Sequence, residues 1–299
     1  MLQAACANGP RALPEVISAA TPQKDLTRCI DEARLQALLA RPLEVRQRAV
    51  IASSGLKGTG QFLNAVPSPA MGLKMAPRTF TTATRYRLGL PVFSADGPCS
   101  ACNGQSDKFG DHAVAACKTY GDRIRRHNLI RDAVFSAASS ALLAPRKEER
   151  GLVEQGAGRP GDITIRGWGL SGGIAITAFD VTVTSPMGAQ TAATAKNPEH
   201  ALANIIHIKN TKYKNYLRLN QQVALVVLAA TTFGAWDSES QRHLVEMAHK
   251  QAICKGLDKR KTAKHLMERL SVCLQRENAE LIITRCPDVD LPAAVDGVL

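Results

Sequence analysis

Three cysteines and one histidine lie within a short stretch near the middle of the chain, with the spacing C-x2-C-x9-H-x4-C. They are Cys99, Cys102, His112 and Cys117. Thiolate and imidazole groups at short spacing are the usual ligands of a tetrahedral structural zinc ion. Glycines in the same stretch allow the tight turns that bring such ligands together. The pattern therefore predicts a zinc knuckle, the alternative being a chance cluster of cysteines.

Two aspartates that follow the knuckle have the chemistry to bind a hard divalent ion. Asp162 ends the turn RPGD and opens a predicted strand, and Asp180 lies in the next predicted strand. Paired strands can place both carboxylates on one face of a sheet, where they would hold magnesium together with water molecules. A purely structural role stays open for each, since aspartate is common in turns and Asp180 could simply pair with a lysine.

The helix predicted after the second of these strands carries a run of basic residues. Lys212, with Lys209 as the alternate, is the predicted catalytic lysine, which would orient the attacking water and offset developing phosphate charge. Lys214 and Arg218 belong to the same run and are predicted to contact nucleic acid.

A second basic segment lies between the knuckle and Asp162. Arg126, His127 and Asn128 follow one another on a predicted helix, and Arg159 begins the RPGD turn. We predict that all four contact nucleic acid, and His127 could also contact the metal ion or the scissile bond. A lone histidine on a helix is more often structural, and that interpretation stays open.

Composition favours a polyanionic partner inside the cell. The formal net charge is +12 and the isoelectric point is near 9.5, which is typical of nucleic-acid-binding proteins. The 8 cysteines come without a secretory signal pattern, so reduced thiols or a metal site are expected rather than a disulfide framework. The sequence contains no apolar run long enough to predict a membrane-spanning helix.

The hydrophobic pattern predicts an α/β fold with a mixed β-sheet flanked by helices. Helices are expected on both sides of a break near Pro42 and over residues 78–90, 121–143, 198–219, 237–254 and 265–285. Strands are expected over residues 163–168 and 174–183, which form a hairpin, and over residues 222–233. The last strand is a continuous apolar run, as expected for a strand buried on both faces.

Four regions are predicted along the chain. Residues 1–90 would form an N-terminal helical and linker region, and residues 91–120 the zinc knuckle. Residues 121–255 would form the domain that carries both aspartates. Residues 256–299 would form a basic C-terminal helix and tail.

Taken in order, these motifs resemble the C-terminal region of non-LTR retrotransposon proteins, which joins a CCHC knuckle to a restriction-like endonuclease of the PD-(D/E)xK superfamily. The matching segments are the knuckle, Arg126-His127-Asn128, the RPGD turn, Asp180-Val181-Thr182-Val183 and the stretch from Lys209 to Tyr213. The resemblance covers roughly residues 30–285.

The resemblance implies a restriction-endonuclease-like fold and a nuclear, metal-dependent endonuclease that nicks DNA. It implies structural zinc in the knuckle and catalytic magnesium on Asp162 and Asp180. The implied partners are double-stranded DNA and the element's RNA, with no membrane and no small-molecule substrate. The chain contains no reverse-transcriptase motif, so it resembles a detached piece of such an element or a gene derived from one.

Two departures from the family pattern keep other interpretations open. Thr182 stands where the superfamily motif has lysine, and Thr231-Thr232 stands where an acidic residue is expected. A nucleic-acid-binding remnant with little or no catalysis is therefore the main alternative to a nuclease. A third is a structural or protein-interaction module whose basic faces are merely solvated.

Overall fold

The described part of the chain begins with two helices. The structure is a computed structural model and describes residues 23–152, 160–169, 175–219 and 222–285. Contacts divide the chain into two units, residues 1–48 and 49–299. Helix α1, Gln23–Leu39, belongs to the first unit, and α2, Val45–Gly55, begins in the first and ends in the second. The predicted break near Pro42 is confirmed.

The second unit alternates helices and strands. In chain order these are α3 (Gln61–Asn64), α4 (Pro77–Arg87), β1 (Gly97–Pro98), β2 (Gln105–Ser106), α5 (Tyr120–Ser140), β3 (Arg146–Lys147), β4 (Ile163–Arg166), β5 (Ile176–Thr184), α6 (Thr191–Lys196), α7 (His200–Leu219), β6 (Val223–Thr231), α8 (Ser238–Lys255) and α9 (Lys259–Ile283). A π-helical turn, His112–Ala116, lies between β2 and α5. The predicted α/β class is confirmed.

The main sheet has the strand order β3-β4-β5-β6. β4 and β5 pair antiparallel, with Ile163 opposite Phe179, so the predicted hairpin is confirmed. β5 and β6 pair parallel, with Asp180 opposite Val227, and α7 connects them. The sheet is therefore mixed, as predicted.

Both faces of the sheet are covered by helices. Leu228 and Ala230 of β6 belong to a core that also contains residues of α5, α8 and α9. Val227 and Ala229, which point the other way, pack with Leu202 of α7. Burying a leucine such as Leu228 contributes about 1.5–3 kcal/mol. The prediction that this strand is buried on both faces is confirmed.

The last helix starts earlier than the sequence pattern predicts. The N-cap of α9 is Asp258, whose Oδ1 accepts a hydrogen bond from Lys261 N at 2.8 Å. This cap lets the basic residues after it join the helix. α9 packs against α4, α5 and α8, so residues 259–283 are part of the second unit's core rather than a separate tail.

The Cys/His segment shares a core with the rest of the second unit. Ala113 and Val114 of the π-helical turn pack with Tyr86 of α4, Phe233 after β6 and Ile282 of α9. The predicted knuckle is thus anchored to the end of the sheet by apolar contacts. Within the described ranges, every helix is too short or too polar to cross a lipid bilayer.

Candidate functional site

The four predicted zinc ligands converge on one point. Their ligand atoms all lie within 4.8 Å of one another, with Cys99 and Cys117 buried and the other two half-buried. The sulfurs of Cys99 and Cys117 are 3.9 Å apart, and Cys102 Sγ lies 3.3 Å from His112 Nε2. Tetrahedral zinc coordination separates two sulfurs by about 3.8 Å and a sulfur from a nitrogen by about 3.6 Å. The group could therefore hold a metal ion such as zinc.

A two-stranded hairpin shapes the first half of this cluster. β1 and β2 pair antiparallel, and Cys99 N donates a hydrogen bond to Gly104 O at 2.8 Å. Asn103, inside the turn, has a φ of 55°, in the left-handed region that asparagine tolerates better than most residues. This turn keeps Cys99 and Cys102 at the same end of the hairpin.

Asp107 organises the second half of the cluster and was not predicted from the sequence. Its Oδ2 accepts a hydrogen bond from His112 N at 2.6 Å, and its Oδ1 accepts one from Asp111 N at 3.0 Å. Cys117 N then donates to His112 O at 2.7 Å, which closes the π-helical turn between the last two ligands. An aspartate just before a helical turn is a capping signal that could have identified this role.

The ligand thiols differ in acidity. Burial raises the pKa of Cys117, but hydrogen bonding with Thr119 and the nearby guanidinium of Arg285 outweigh it and lower the pKa of this thiol to about 5. Cys117 is therefore a thiolate at neutral pH, which is the form that binds metal ions. Burial raises the pKa of Cys99, and a bound metal ion would still remove that proton.

Asp162 lies directly against β5. Asp162 N donates to Phe179 O at 2.8 Å, and its Oδ2 accepts a hydrogen bond from Val181 N at 2.7 Å. A Cβ at the preceding position, Gly161, would lie 3.0 Å from Phe179 O, a tighter contact than most Cβ atoms make, so this close approach favours glycine. The Asp162 carboxylate is thus held beside the strand that carries Asp180.

His127 of α5 is the second partner of Asp162. Its Nε2 lies 3.2 Å from Asp162 Oδ1, and the two side chains are 31% and 19% exposed. Both oxygens of Asp162 have protein partners, yet solvent still reaches the pair. The structure therefore pairs His127 with a carboxylate of the candidate site.

Asp180 pairs with Lys209 of α7. Lys209 Nζ donates a hydrogen bond to Asp180 Oδ1 at 3.1 Å and lies 2.8 Å from Oδ2. The Asp180 side chain is 7% exposed, and its buried Oδ2 accepts no hydrogen bond from any described residue. The ammonium of Lys209 is therefore the direct charge partner of Oδ2, and the contact is an ion pair without hydrogen-bond geometry.

The charge of Asp162 affects the pKa of Asp180. Burial is the main factor that raises the pKa of Asp180, the ammonium of Lys209 lowers it, and the charge of Asp162 raises it further. Such an effect requires the carboxylates to be close in a poorly solvated environment. Two neighbouring carboxylates that repel each other gain stability when they share a divalent cation.

An open cleft of about 410 Å³ lies beside His127. One wall contains Arg123 of α5, and the other contains Thr182 and Thr184 of β5. Arg123 was not predicted, although it belongs to the same basic segment as His127. A guanidinium facing hydroxyl groups suits a phosphate. Neither aspartate lines this cleft, which reaches Asp162 only through His127, and neither lines a larger cleft of about 500 Å³ that includes Trp236.

The predicted lysines occupy different environments. Lys212 is exposed, and its Nζ lies 5.0 Å from the centre of the Tyr213 ring. Lys214 is also exposed. It is therefore Lys209, the alternate in the sequence analysis, that the structure brings to Asp180.

Arg126 has an internal position. It is 5% exposed, and its Nη1 donates to Val114 O at 3.1 Å and to Asn278 Oδ1 at 2.8 Å. Burial lowers the pKa of Arg126 to about 10, so it stays charged at neutral pH. Although it borders the cleft, its hydrogen bonds tie the Cys/His segment to α9, contrary to the nucleic-acid contact predicted for it.

Three other residues were predicted to contact nucleic acid: Asn128, Arg159 and Arg218. Asn128 is half-buried on α5. Arg159 lies outside the described residues. Arg218 lies within α7, but its side chain is outside the described part of the structure.

Thr231 and Thr232, which stand where the family pattern has an acidic residue, lie in the core. Thr231 Oγ1 accepts a hydrogen bond from Ala235 N at 3.2 Å. Thr232 O accepts from Gln275 Nε2 at 3.0 Å and from Asn278 Nδ2 at 2.8 Å. Both threonines are almost completely buried. They stabilise the junction of β6 with α9, and neither offers a carboxylate to the cleft.

No protein-family model matches this chain, and no curated protein shows a significant sequence match. The chemistry of the site and the order of the motifs therefore carry the functional argument. In the part of the chain that the structure describes, the Cys/His cluster is the one group of three or more metal-ligand side chains whose ligand atoms converge.

Proposed function

We propose that this protein contains a metal-dependent DNA endonuclease domain of the PD-(D/E)xK type, within residues 121–255, and that it derives from a non-LTR retrotransposon. The observation that carries the proposal is the position of Asp162. Its carboxylate accepts a hydrogen bond from the backbone N–H of Val181, the residue after Asp180, and its charge raises the pKa of Asp180. Asp162 just before β4, Asp180 in β5 and Lys209 on the following helix would together supply two carboxylates and a cation to such a site.

In this proposal Asp162 and Asp180 hold magnesium. The fit rests on the two neighbouring carboxylates and on magnesium's preference for one or two carboxylates plus water, and the ammonium of Lys209, 2.8 Å from Asp180 Oδ2, would move aside for the ion. When bound, the ion would polarise the scissile phosphate and activate a water molecule. His127 orients Asp162 through their hydrogen bond, and Lys209 balances the charge of Asp180 beside the reacting phosphate.

DNA would approach along the cleft that His127 lines, and His127 connects this cleft to Asp162. Arg123 borders this cleft, and its Nη1 is held by Ala115 O at 2.8 Å. Exposed Lys212 and Lys214 on α7 would contact the phosphate backbone. We further propose that the Cys/His cluster is a zinc knuckle that binds the DNA or the element's RNA, and that the protein acts in the nucleus.

A specific observation also favours the alternative of a DNA-binding remnant. Thr182 lines the cleft where the superfamily motif has lysine, and the buried Thr231 and Thr232 replace the expected acidic residue. In this alternative the Lys209–Asp180 ion pair is structural, and the protein binds DNA without cutting it. The endonuclease and the DNA-binding remnant would use the same binding surface and differ only in whether the bound DNA is cut.

A plasmid-nicking assay on the full chain separates these possibilities. With Mg²⁺ the parent should nick supercoiled DNA, and Asp180→Asn should bind DNA with similar affinity without nicking it. Steeply salt-dependent binding by a parent that never nicks would favour the remnant. Weak binding with little salt dependence would favour a protein-interaction module. Asp31→Asn is the matched control, since it makes the same change at an exposed aspartate of α1 outside the proposed site.

A further inference from the structure

The last described residue, Arg285, places a buried guanidinium beside the Cys/His cluster. Its side chain is 1% exposed. Its Nη1 donates to Leu281 O at 2.8 Å and lies 3.2 Å from Asp122 Oδ2. Its Nε and Nη2 are buried and make no hydrogen bond with the described residues. A buried guanidinium with unused donors is unfavourable unless an anion faces it.

A hydrogen bond connects the residue just after α9 to the segment that carries the metal ligands. Ser100, next to the ligand Cys99, donates a hydrogen bond through Oγ to Arg285 O at 2.7 Å. The Arg285 side chain lowers the pKa of the Cys117 thiol, so its positive charge lies near this ligand. Asp122, its other ionic partner, is 36% exposed and therefore shares its charge with solvent. Among the described residues, the sulfur of Cys117 is thus a buried group near Arg285 that can carry a negative charge, although neither Nε nor Nη2 hydrogen-bonds to it.

When a divalent metal ion binds, the ion and its four ligands together would form the anion that Arg285 faces. A divalent ion with three thiolates and one neutral imidazole, the ligand set present here, has a net charge of minus one. Since Cys99 and Cys117 are buried, water solvates this charge poorly. A buried anion and a buried cation are each unfavourable alone and offset each other when they are paired.

We infer that Arg285 is the counter-charge of the metal-bound Cys/His cluster, and that metal binding and the docking of the α9 C-terminal end stabilise each other. Arg285 is a positioning residue, because it acts on the metal through the Cys117 thiolate. This inference rests on the metal site and is independent of the endonuclease proposal.

Zinc affinity tests the inference in the full-length protein. Competition with a chromophoric chelator should show that Arg285→Met weakens zinc binding about 10- to 100-fold, the usual effect of losing a residue that supports a metal ligand. Asp122→Asn removes the other ionic partner and should leave zinc affinity within about twofold of the parent. An unchanged affinity in Arg285→Met, or an equal loss in both variants, would overturn the inference.

Cobalt spectroscopy provides a readout that a general loss of stability does not change. With Co²⁺ in the cluster, the sulfur-to-metal charge-transfer band reports hydrogen bonds to the thiolates. Arg285→Lys keeps the charge but lacks the guanidinium's donor geometry, so it should fold, shift this band and lose less zinc affinity than Arg285→Met. The band should not move in Asp122→Asn. An identical band in the parent and in Arg285→Lys would show that Arg285 does not contact the thiolate.

Hydrogen exchange tests the reciprocal effect. If metal binding and docking stabilise each other, chelation must loosen the end of α9 as well as the cluster. Amide exchange over residues 281–285 should therefore accelerate when zinc is removed from the parent. Exchange in that segment that is insensitive to zinc would contradict the coupling.

Discussion

Lys209 lies 2.8 Å from Asp180, whereas Lys212 on the same helix lies over the ring of Tyr213. The two lysines are therefore not equivalent, although both belong to the basic run that predicts a catalytic lysine. Only Lys209 sits where its charge acts on a carboxylate of the candidate active site.

Replacing each lysine separately should give opposite results. Lys209→Met should lower the Mg²⁺-dependent nicking rate by about 10²–10³-fold, because it removes a cation positioned at the reacting charge, and DNA affinity should change little. Lys212→Met should nick at nearly the parent rate and lower the salt slope of DNA binding by up to about 1. Both quantities can be measured on the same plasmid and a matched duplex. Loss of nicking in Lys212→Met alone would reverse the assignment.

The raised pKa of Asp180 predicts a trade-off between stability and activity. An unfolded aspartate has a pKa of about 3.9, and burial raises this pKa in the folded protein. The folded state therefore binds this proton more tightly, so the stabilising contribution is full below about pH 3.9 and is lost as pH rises through the folded pKa. Asp180→Asn stays neutral at every pH and should unfold at pH 7 at or above the parent's temperature, while being unable to nick.

Thermal unfolding between acidic and neutral pH checks this prediction. The difference in Tm between Asp180→Asn and the parent should be largest near pH 7 and should shrink toward pH 4. A Tm well below the parent's at pH 7 would mean that the Lys209 ion pair stabilises the protein more than the burial of Asp180 destabilises it.

Loss of zinc should affect the cleft as well as the knuckle. Cys102→Ser should lose the metal and increase hydrogen exchange over residues 91–120. Because Ala115 O holds Arg123 and Val114 O holds Arg126, the start of α5 should loosen too, while the β5–β6 pairing persists. Cys254→Ser, at an exposed cysteine outside the cluster, is the control and should match the parent.

Gly161 predicts a steric effect on Asp162. A methyl group at this position would meet the backbone of β5, so Gly161→Ala should displace Asp162, lower stability by about 1–3 kcal/mol and reduce nicking. Gly121, inside α5, has open space around its Cα, so Gly121→Ala should be neutral or stabilise by about 0.5–1 kcal/mol. Urea unfolding of both variants measures the difference. Equal stability in the two would show that the close approach at Gly161 is easily relieved.

The sequence predicted those parts that depend on local pattern. Alternating and continuous apolar runs predicted β4, β5 and β6, and ligand spacing predicted the cluster that contains Cys99 and Cys117. The pattern did not predict the start of α9, because a capping aspartate brings a basic, polar run into the helix. It also missed β3, which has only two residues and exists through its pairing with β4.

Side-chain roles that depend on distant partners could not be predicted. Arg126 was expected to face nucleic acid, yet its acceptor is Asn278 on α9, which no local pattern links to it. The choice between Lys209 and Lys212 depends on how α7 is rotated against the sheet, and both fit the same motif. Arg285 lies far along the chain from Cys117, so only the fold brings the two together.

The most direct test of the proposed active site is a double-substitution experiment on single-turnover plasmid nicking with Mg²⁺. If Asp162 and Asp180 hold one ion, Asp162→Asn and Asp180→Asn should each lower the rate by more than about 10²-fold. The double variant should be no slower than the slower single variant, because residues that act as a unit have non-additive effects. A parent that nicks but is unaffected by either substitution, or fully additive losses, would contradict a shared metal site.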